Sequence, residues 1–464
     1  MEAKTRFRLA ICGGGIGGLT LAAVIHKYYK DDIQVDLYEA KDKFSEIGAG
    51  ISLWRGPWSI MQLLGLDKAL EGIIAGPPEE TPRVRFSFRR GDQVDESYTF
   101  HEAIMTHGPI TMHRTDMLNI LVDNLPSNFR THFNKRLSSY SEDSSGAINL
   151  FFSDGSCAEA DVLVGADGIN SATRKAMYLS LENAAESEDS KHLASFAEAR
   201  WTGTYAYRTI VDTKLLLEKA PGHRLASTPV IYLGKDKHIV SFPISRGQSL
   251  NLIGFVTVAE GEGAEHEGPF VKEVAVDEMI ENYNSTWEPE IRQLMSVQCV
   301  KRSSRWAIHH VRNLPQYASG RVVLMGDAAH GMTTHLGAGA AQAIEDAFIL
   351  GRILAHERTN VENIEAALKV YDNVRRPIAN AMVERSWNTG LLYEFSVAPG
   401  GGSWSGVEPS SAEGLRMIAG GIDDAWSWQS SDLPQDDWLR AEEQLLRHIC
   451  SQASTDGGAI VTDN

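Results

Sequence analysis

An apolar run, RFRLAIC, ends at Cys12 and gives way to five glycines in six positions, Gly13 to Gly15, Gly17 and Gly18. LTLAAVIHKYY then places apolar residues at helical spacing, and IQVDLYEA alternates, so residues 6 to 40 predict strand, tight turn, helix and strand. RVRFSFRRGDQVDESYTF alternates from Arg83 to Phe100 and reads as a β excursion with a Gly-Asp turn. From Met112, MHRTDMLNILVDNL reads as a helix with Thr111 or His113 near its start. INLFFSDG is a hairpin arm turning at Asp154 and Gly155, and ADVLVGADG is a buried strand.

Residues 183 to 200 are acidic and serine-containing, as a solvated connector would be. Between 201 and 258 the runs TYAYRTIV, PVIYLG, HIVSFPIS and LNLIGFVTV alternate and are parted by turn residues, which favours an antiparallel sheet over βαβ units. RVVLMGDAAH is again a buried strand entering a glycine-bearing loop, and AQAIEDAFILGRILAH is a long helix. The tail from about Val397 opens with PGGGSWSG and ends in a polar stretch expected to stay disordered. Trp426 and Trp428 within it read as core packing for a short helix.

A chain of 464 residues suggests two or more domains, and 43% hydrophobic with 23% charged residues is ordinary globular composition. The net charge of −17 argues against nucleic acid or an anionic membrane as main partner, so any phosphate must be held locally by amides and a few arginines. Cys12, Cys157, Cys299 and Cys450 form no CxxC pair, and no run reaches the roughly 20 apolar residues of a membrane span. With no signal-peptide layout, these features lead us to expect a cytoplasmic protein, monomeric or homodimeric.

Gly13-x-Gly15-x-x-Gly18, with Ile16 between, stands where a dinucleotide fingerprint needs it, between strand and helix. The first glycine permits the turn, the second a close pyrophosphate, the third close helix packing, and the helix N-terminus favours the phosphate charge. Glu39 ends the next strand, 21 residues after Gly18, where a carboxylate accepts from both ribose hydroxyls. The fingerprint alone does not separate NAD from FAD.

Three later stretches do. VGADGINSATR (164–174), LMGDAAHGMTTHLGAGAAQAIEDA (324–347) and YDNVRRPIANAMVERS (371–386) occur in this order, with GAGISL near residue 50 and HRTDML near 115. Together they resemble the single-component FAD-dependent aromatic monooxygenases, the salicylate hydroxylase-like and hydroxybenzoate hydroxylase enzymes, over about residues 7 to 390. The resemblance implies an α/β fold, in which a Rossmann-type FAD-binding domain (1–75, 110–185 and 300–395) is interrupted by a mixed β-sheet substrate domain (76–109 and 186–299). A helical C-terminal extension (396–464) follows. It also implies non-covalent FAD, transient NADPH or NADH, O2, and transfer of oxygen from a flavin C4a-hydroperoxide to a phenolic substrate, with or without loss of CO2.

The implied contacts follow residue by residue. Asp327 would bond a ribityl or ribose hydroxyl, unless it is merely a turn aspartate. Gly337, Ala338 and Gly339 open a helix whose amides would face the N1/C2 edge of the flavin. Asp167, Gly168 and Arg174 would touch FAD and the incoming nicotinamide cofactor, the plainer reading of Arg174 being a surface ion pair. Arg114 would contact FAD, and Gly48, Ala49 and Gly50 would let a loop pass close to the flavin. Two departures stand out: Gly331 follows His330 where relatives usually have proline, and Arg55 and Gly56 replace a common proline and asparagine.

The inserted sheet should cover the flavin. HIVSFP puts His238 and Phe242 on one strand face, and relatives carry tyrosine in place of Phe242 in the matching stretch. His238 is either the base that ionises a phenol or a satisfied core histidine. Arg208, Tyr207 and Tyr232 are candidates for carboxylate or phenol contacts, although Tyr207 and Arg208, being adjacent, cannot both line the pocket. A metal site at Asp327, His330 and His335 lacks the HExxH pattern, and the halogenase signature W-x-W-x-I-P is absent. The competing function is a flavin monooxygenase or epoxidase acting on a non-aromatic secondary-metabolite intermediate; a nucleotide-sensing module is a more remote one.

Overall fold

The computed structural model describes residues 5–45, 50–74, 80–184, 192–283, 286–295, 302–430 and 433–456. Its first sheet has six strands in the order Ala318–Ser319, Val322–Leu324, Val162–Gly165, Phe7–Cys12, Ile33–Tyr38 and Arg130–His132. Phe7–Cys12 runs parallel to both neighbours, with Leu9 opposite Val35 on one side and Val162 on the other. Such strands are apolar on both faces because helices cover both, and Leu9 and Ile11 are fully buried, each contributing roughly 1.5–3 kcal/mol. Helices Ile16–Tyr28 and Gly339–Ala355 pack against each other closely enough that a Cβ at Gly351 would stand 2.6 Å from Val24 Cγ1.

The second sheet has eight strands, ordered Val271–Val274, Ser303–His310, Arg200–Asp212, Ser249–Glu262, Lys237–Ile244, Val230–Gly234, Glu80–Arg90 and Thr99–His107. It is antiparallel except where Val230–Gly234 runs parallel to Glu80–Arg90, the seam between the early hairpin and the later insertion. Ser303–His310 belongs to this sheet, so the substrate sheet runs past the boundary expected at residue 299. Alternation gives the sheet two faces. One carries Tyr207, Val211, Tyr232, Ile239 and Leu252 against Met279, Tyr283, Trp287 and Ile291. The other turns Phe88, Ile231 and Leu233 toward Leu336, Ala338 and Tyr393.

Helix Ile364–Tyr393 leads into the extension, whose helices Ala412–Trp426 and Pro434–Asp456 join two different cores. Ile418, Ile422 and Trp426 pack beneath the sheet, while Trp438, Ala441 and Leu445 pack on the nucleotide domain. The polar end expected to be disordered, from residue 457, lies outside the described residues. Among the described residues no helix is long and apolar enough to cross a membrane.

Candidate active site

The glycine turn is built for close approach. Gly13 has φ +117°, and a Cβ there would stand 2.1 Å from the Ala166 carbonyl oxygen; one at Gly18 would stand 2.0 Å from that of Gly13. Helix Ile16–Tyr28 starts at Gly15 without a side-chain cap, leaving its first-turn amides for an anion. Glu39 accepts from the Gly14 amide (2.9 Å) and the Lys41 amide (2.8 Å), which fixes its carboxylate beside the turn. These features fit the pyrophosphate and ribose of a flavin dinucleotide.

A second anion-favouring helix end lies across the domain. Ala338 caps Gly339–Ala355 with no side-chain bond, and Gly337 takes φ +57° with open space where a Cβ would be. Asp327 is exposed at the start of Asp327–His330, and its Oδ1 would lie 3.9 Å from a Cβ on Gly339. A carboxylate and a row of amides thus face one space, the donor and acceptor set a ribityl chain and flavin edge require. The Trp54 indole donates to the Gly337 carbonyl at 3.1 Å and pins this loop.

A buried network carries the loop. Asp346 accepts from His330 Nε2 (2.5 Å), the Gly326 amide (3.0 Å) and Arg375 Nε (2.8 Å). Burial alone would raise the Asp346 carboxyl, but His330 and Arg375 overcome it and hold the group well below the usual carboxylate range. Sequence reasoning missed this role. The available signal was a pair of adjacent acids, Glu345 and Asp346, within an otherwise apolar stretch of helix.

The Asp-Gly loop is held by bonds within the chain. Asp167 Oδ1 accepts from Ser171 Oγ (2.5 Å) and Oδ2 from the Thr173 amide and hydroxyl (both 3.0 Å), so it braces the start of helix Ala172–Ala184. Arg174 is neither a cofactor contact nor a surface ion pair. It is fully buried and donates to the carbonyls of Ala197 (3.1 Å), Ala328 (3.0 Å) and Ile169 (2.7 Å), tying this loop to the one bearing Asp327. Gly168, at φ +79°, has open space beside it. Gly50 pairs with His113, directly before Arg114 at the start of helix Arg114–Asp123. Gly48 and Ala49 lie outside the described residues.

The sheet separates its four candidates. Tyr232 is corrected: it points to the face away from the flavin loop, is fully buried, and donates to Glu290 at 2.7 Å. Tyr207 shares that face and donates to Glu278 at 3.1 Å. His238 points the right way but is sealed in the domain interface, with no exposed surface, stacked on Phe255 at 4.2 Å and bonded through Nδ1 to Glu394 at 2.8 Å. Burial pushes it down to about 3. The core reading therefore replaces the phenol-base reading, because no substrate reaches a ring so enclosed.

Arg208 lies opposite Ile253, on the face turned to the flavin loop, with its guanidinium 5.2 Å from the Trp306 ring centre. Burial, and then the like charge of Arg114, push its pKa down. No carboxylate among the described residues pairs with it. Asn251, two residues from Ile253 on the same face, is 2% exposed and its Oδ1 has no hydrogen-bond partner among the described residues. It was not foreseen, since an asparagine in an alternating strand gives no signal of its own.

The FAD binding domain family matches residues 6–386. Salicylate hydroxylase of Pseudomonas putida is 36% identical over 400 residues, covering 84% of this chain and 87% of that one. The 6-methylsalicylate 1-monooxygenase of Aspergillus terreus is 33% identical over 405 residues, 85% of each chain. A solved salicylate hydroxylase substrate complex superposes with a TM-score of 0.78 at 27% identity, over 95% of this chain and 98% of that one. With a cradle that fits the dinucleotide and likeness along nearly the whole chain, this protein belongs to the FAD-dependent aromatic monooxygenases.

Proposed function

We propose that this monooxygenase hydroxylates a phenolic acid of the salicylate or hydroxybenzoate type, taking electrons from NADPH or NADH and oxygen from O2. The observation that carries the reading is Arg208, a part-buried guanidinium with an arginine for its charged neighbour and no acid beside it among the described residues. An uncompensated charge out of water costs several kcal/mol, and a substrate carboxylate would relieve it. Asn251 Oδ1, on the same face, would accept from the ring hydroxyl. The names of the salicylate-acting relatives support the same class.

FAD, when bound, supplies the two-electron chemistry and the activated oxygen. The protein holds and orients. The amides after Gly15 and the Glu39 carboxylate would bind its dinucleotide part, Asp327 a ribityl hydroxyl, and the amides from Gly339 the flavin edge where negative charge gathers. Val240, Ile253 and Trp306 give the sheet face an apolar wall that keeps water from the reacting ring. Whether oxygen enters beside the hydroxyl or replaces the carboxylate with loss of CO2 depends on which carbon this grip presents.

The test is NADPH and NADH oxidation by the FAD-loaded enzyme with salicylate, the hydroxybenzoates and neutral phenols, followed by mass spectrometry of products. Carboxylated phenols should stimulate oxidation and yield product, neutral phenols should not, and Arg208→Leu should erase the difference. Stimulation by neutral phenols alone, or by no phenol, would overturn the reading; the latter outcome favours a non-aromatic substrate.

A further inference from the structure

The C-terminal extension closes a cavity of about 220 Å3 that no strand of the substrate sheet lines. It sits between the start of helix Arg55–Leu64, the flank of Gly339–Ala355 and the extension, so it is separate from the face bearing Arg208. Trp54 and Trp428 supply aromatic walls, their rings 5.2 Å apart and nearly perpendicular at 67°. The volume is below the roughly 300–1,000 Å3 of drug-sized sites and suits a single ring.

Two acids, Glu345 and Asp437, and two arginines, Arg55 and Arg440, line the cavity, while Arg375 behind them is matched by Asp346. Glu345 lies 3.3 Å from Arg375 Nη1, and Asp437 pairs with Arg440 and lies 3.7 Å from the same Arg375 nitrogen. A carboxylate entering would meet two acids and an ammonium would meet two arginines, so a neutral occupant is favoured. Unmet hydrogen-bonding capacity of both kinds lies here: Arg375 Nη1, beside Glu345 and Asp437, has no acceptor within hydrogen-bond geometry among the described residues, and a carbonyl lacks a donor. Gln429, 8% exposed, lines the cavity with its Oε1 buried and without a hydrogen-bond partner among the described residues. Glu345 takes the Gln342 amide on Oε2 at 2.9 Å, and no hydrogen bond among the described residues reaches its Oε1.

We infer that this cavity is an accessory ligand site for a small neutral aromatic molecule with N–H donors, of the aromatic carboxamide type. The ring would stand against Trp54 and Trp428 while the amide N–H groups meet Gln429 Oε1 and Glu345. Such a ligand touches the flavin loop at one remove, since Trp54 also holds the Gly337 carbonyl.

Calorimetric titration of the full, FAD-loaded chain with benzamide, with benzoate as the anion of equal shape, tests the inference. Benzamide should bind saturably and, in Arg208→Leu, where the carboxylate grip of the substrate sheet is gone, at least tenfold more tightly than benzoate. Gln429→Met should weaken it about tenfold, the worth of one hydrogen bond, and Arg208→Leu should leave it unchanged. Benzoate binding as tightly in Arg208→Leu, no saturable binding of benzamide, unchanged affinity in Gln429→Met, or loss of benzamide binding in Arg208→Leu would each overturn the inference. Should Gln429→Met lose its cooperative melting transition, the indole N–H resonances of Trp54 and Trp428 in the unaltered protein decide. Saturable shifts there uphold the site, and their constancy overturns it.

Discussion

Arg375 Nε donates to Asp346 Oδ1 at 2.8 Å, and neither side chain has any solvent exposure. The other carboxylate oxygen carries His330 and the Gly326 amide, so one buried acid joins two long helices to the loop that presents Asp327. Removing its charge would leave Arg375 facing an amide. Asp346→Asn is expected to lose about 3–5 kcal/mol of stability and to weaken FAD binding. Urea unfolding checks it, and a loss under about 1 kcal/mol would show that this acid is no brace.

Asp327 should behave oppositely. Its carboxylate is exposed and does not support the fold among the described residues. Asp327→Ala should therefore keep the melting temperature of the cofactor-free protein but bind FAD roughly 10- to 100-fold more weakly, the loss of one charged hydrogen bond. Fluorescence titration of FAD measures this. Full retention of FAD would remove the ribityl contact from the reading.

Arg208 and Tyr232 form a contrasting pair across the same sheet. Arg208→Leu should raise KM for carboxylated phenols by about 10- to 100-fold while FAD content stays level. Tyr232→Phe should leave KM unmoved and cost about 1–3 kcal/mol of stability, because the Glu290 carboxylate loses a donor. Steady-state kinetics beside thermal melts separates the two. A KM effect at Tyr232 would mean the sheet faces are assigned the wrong way round.

The pH dependence of stability follows from buried groups of opposite kind. Burial pushes His238, His310 and His335 down to about 3, so the unfolded chain takes protons below 6.5 that the folded chain refuses. Their contribution is present above 6.5 and fades as pH falls. Burial pushes Glu345 and Glu394 up to about 7, from 4.5, so their contribution is present below 4.5 and is lost as pH rises through 7. Between 6.5 and 4.5 three protons are set against two. Below 4.5 the histidines act unopposed, at about 1.4 kcal/mol per pH unit each. Stability measured by urea unfolding should fall by about 1.4 kcal/mol per pH unit from pH 6.5 to 4.5, the net of one proton, and about three times as steeply below; an equally steep fall already at pH 6 would contradict this balance.

Local pattern made much of the cofactor cradle legible. The strand ending at Cys12, the glycines and Glu39 are close in sequence, the helix from Gly339 is itself one continuous run, and turn chemistry with periodicity fixes how each is built. Asp167 and Arg174 lie in an equally clear motif, yet their partners are Ser171 and Thr173 for one and the carbonyls of Ala197 and Ala328 for the other. The motif marks that the loop matters, while the contacts show that these two residues shape it.

What the sequence by itself determined, then, is the chemistry of single elements: which runs are strands, where a backbone must meet a phosphate, which helix ends offer amides. Only the tertiary structure decided which sheet face meets the flavin loop, and so that Arg208 points toward it while Tyr232 points away. It also decided that His238 is enclosed by Phe255 and Glu394, and that helices beyond residue 411 complete both cores. The reason is physical. A strand's alternation fixes that neighbours oppose one another, but burial, charge pairing and access are properties of what packs against each face, and those groups arrive from tens to hundreds of residues away.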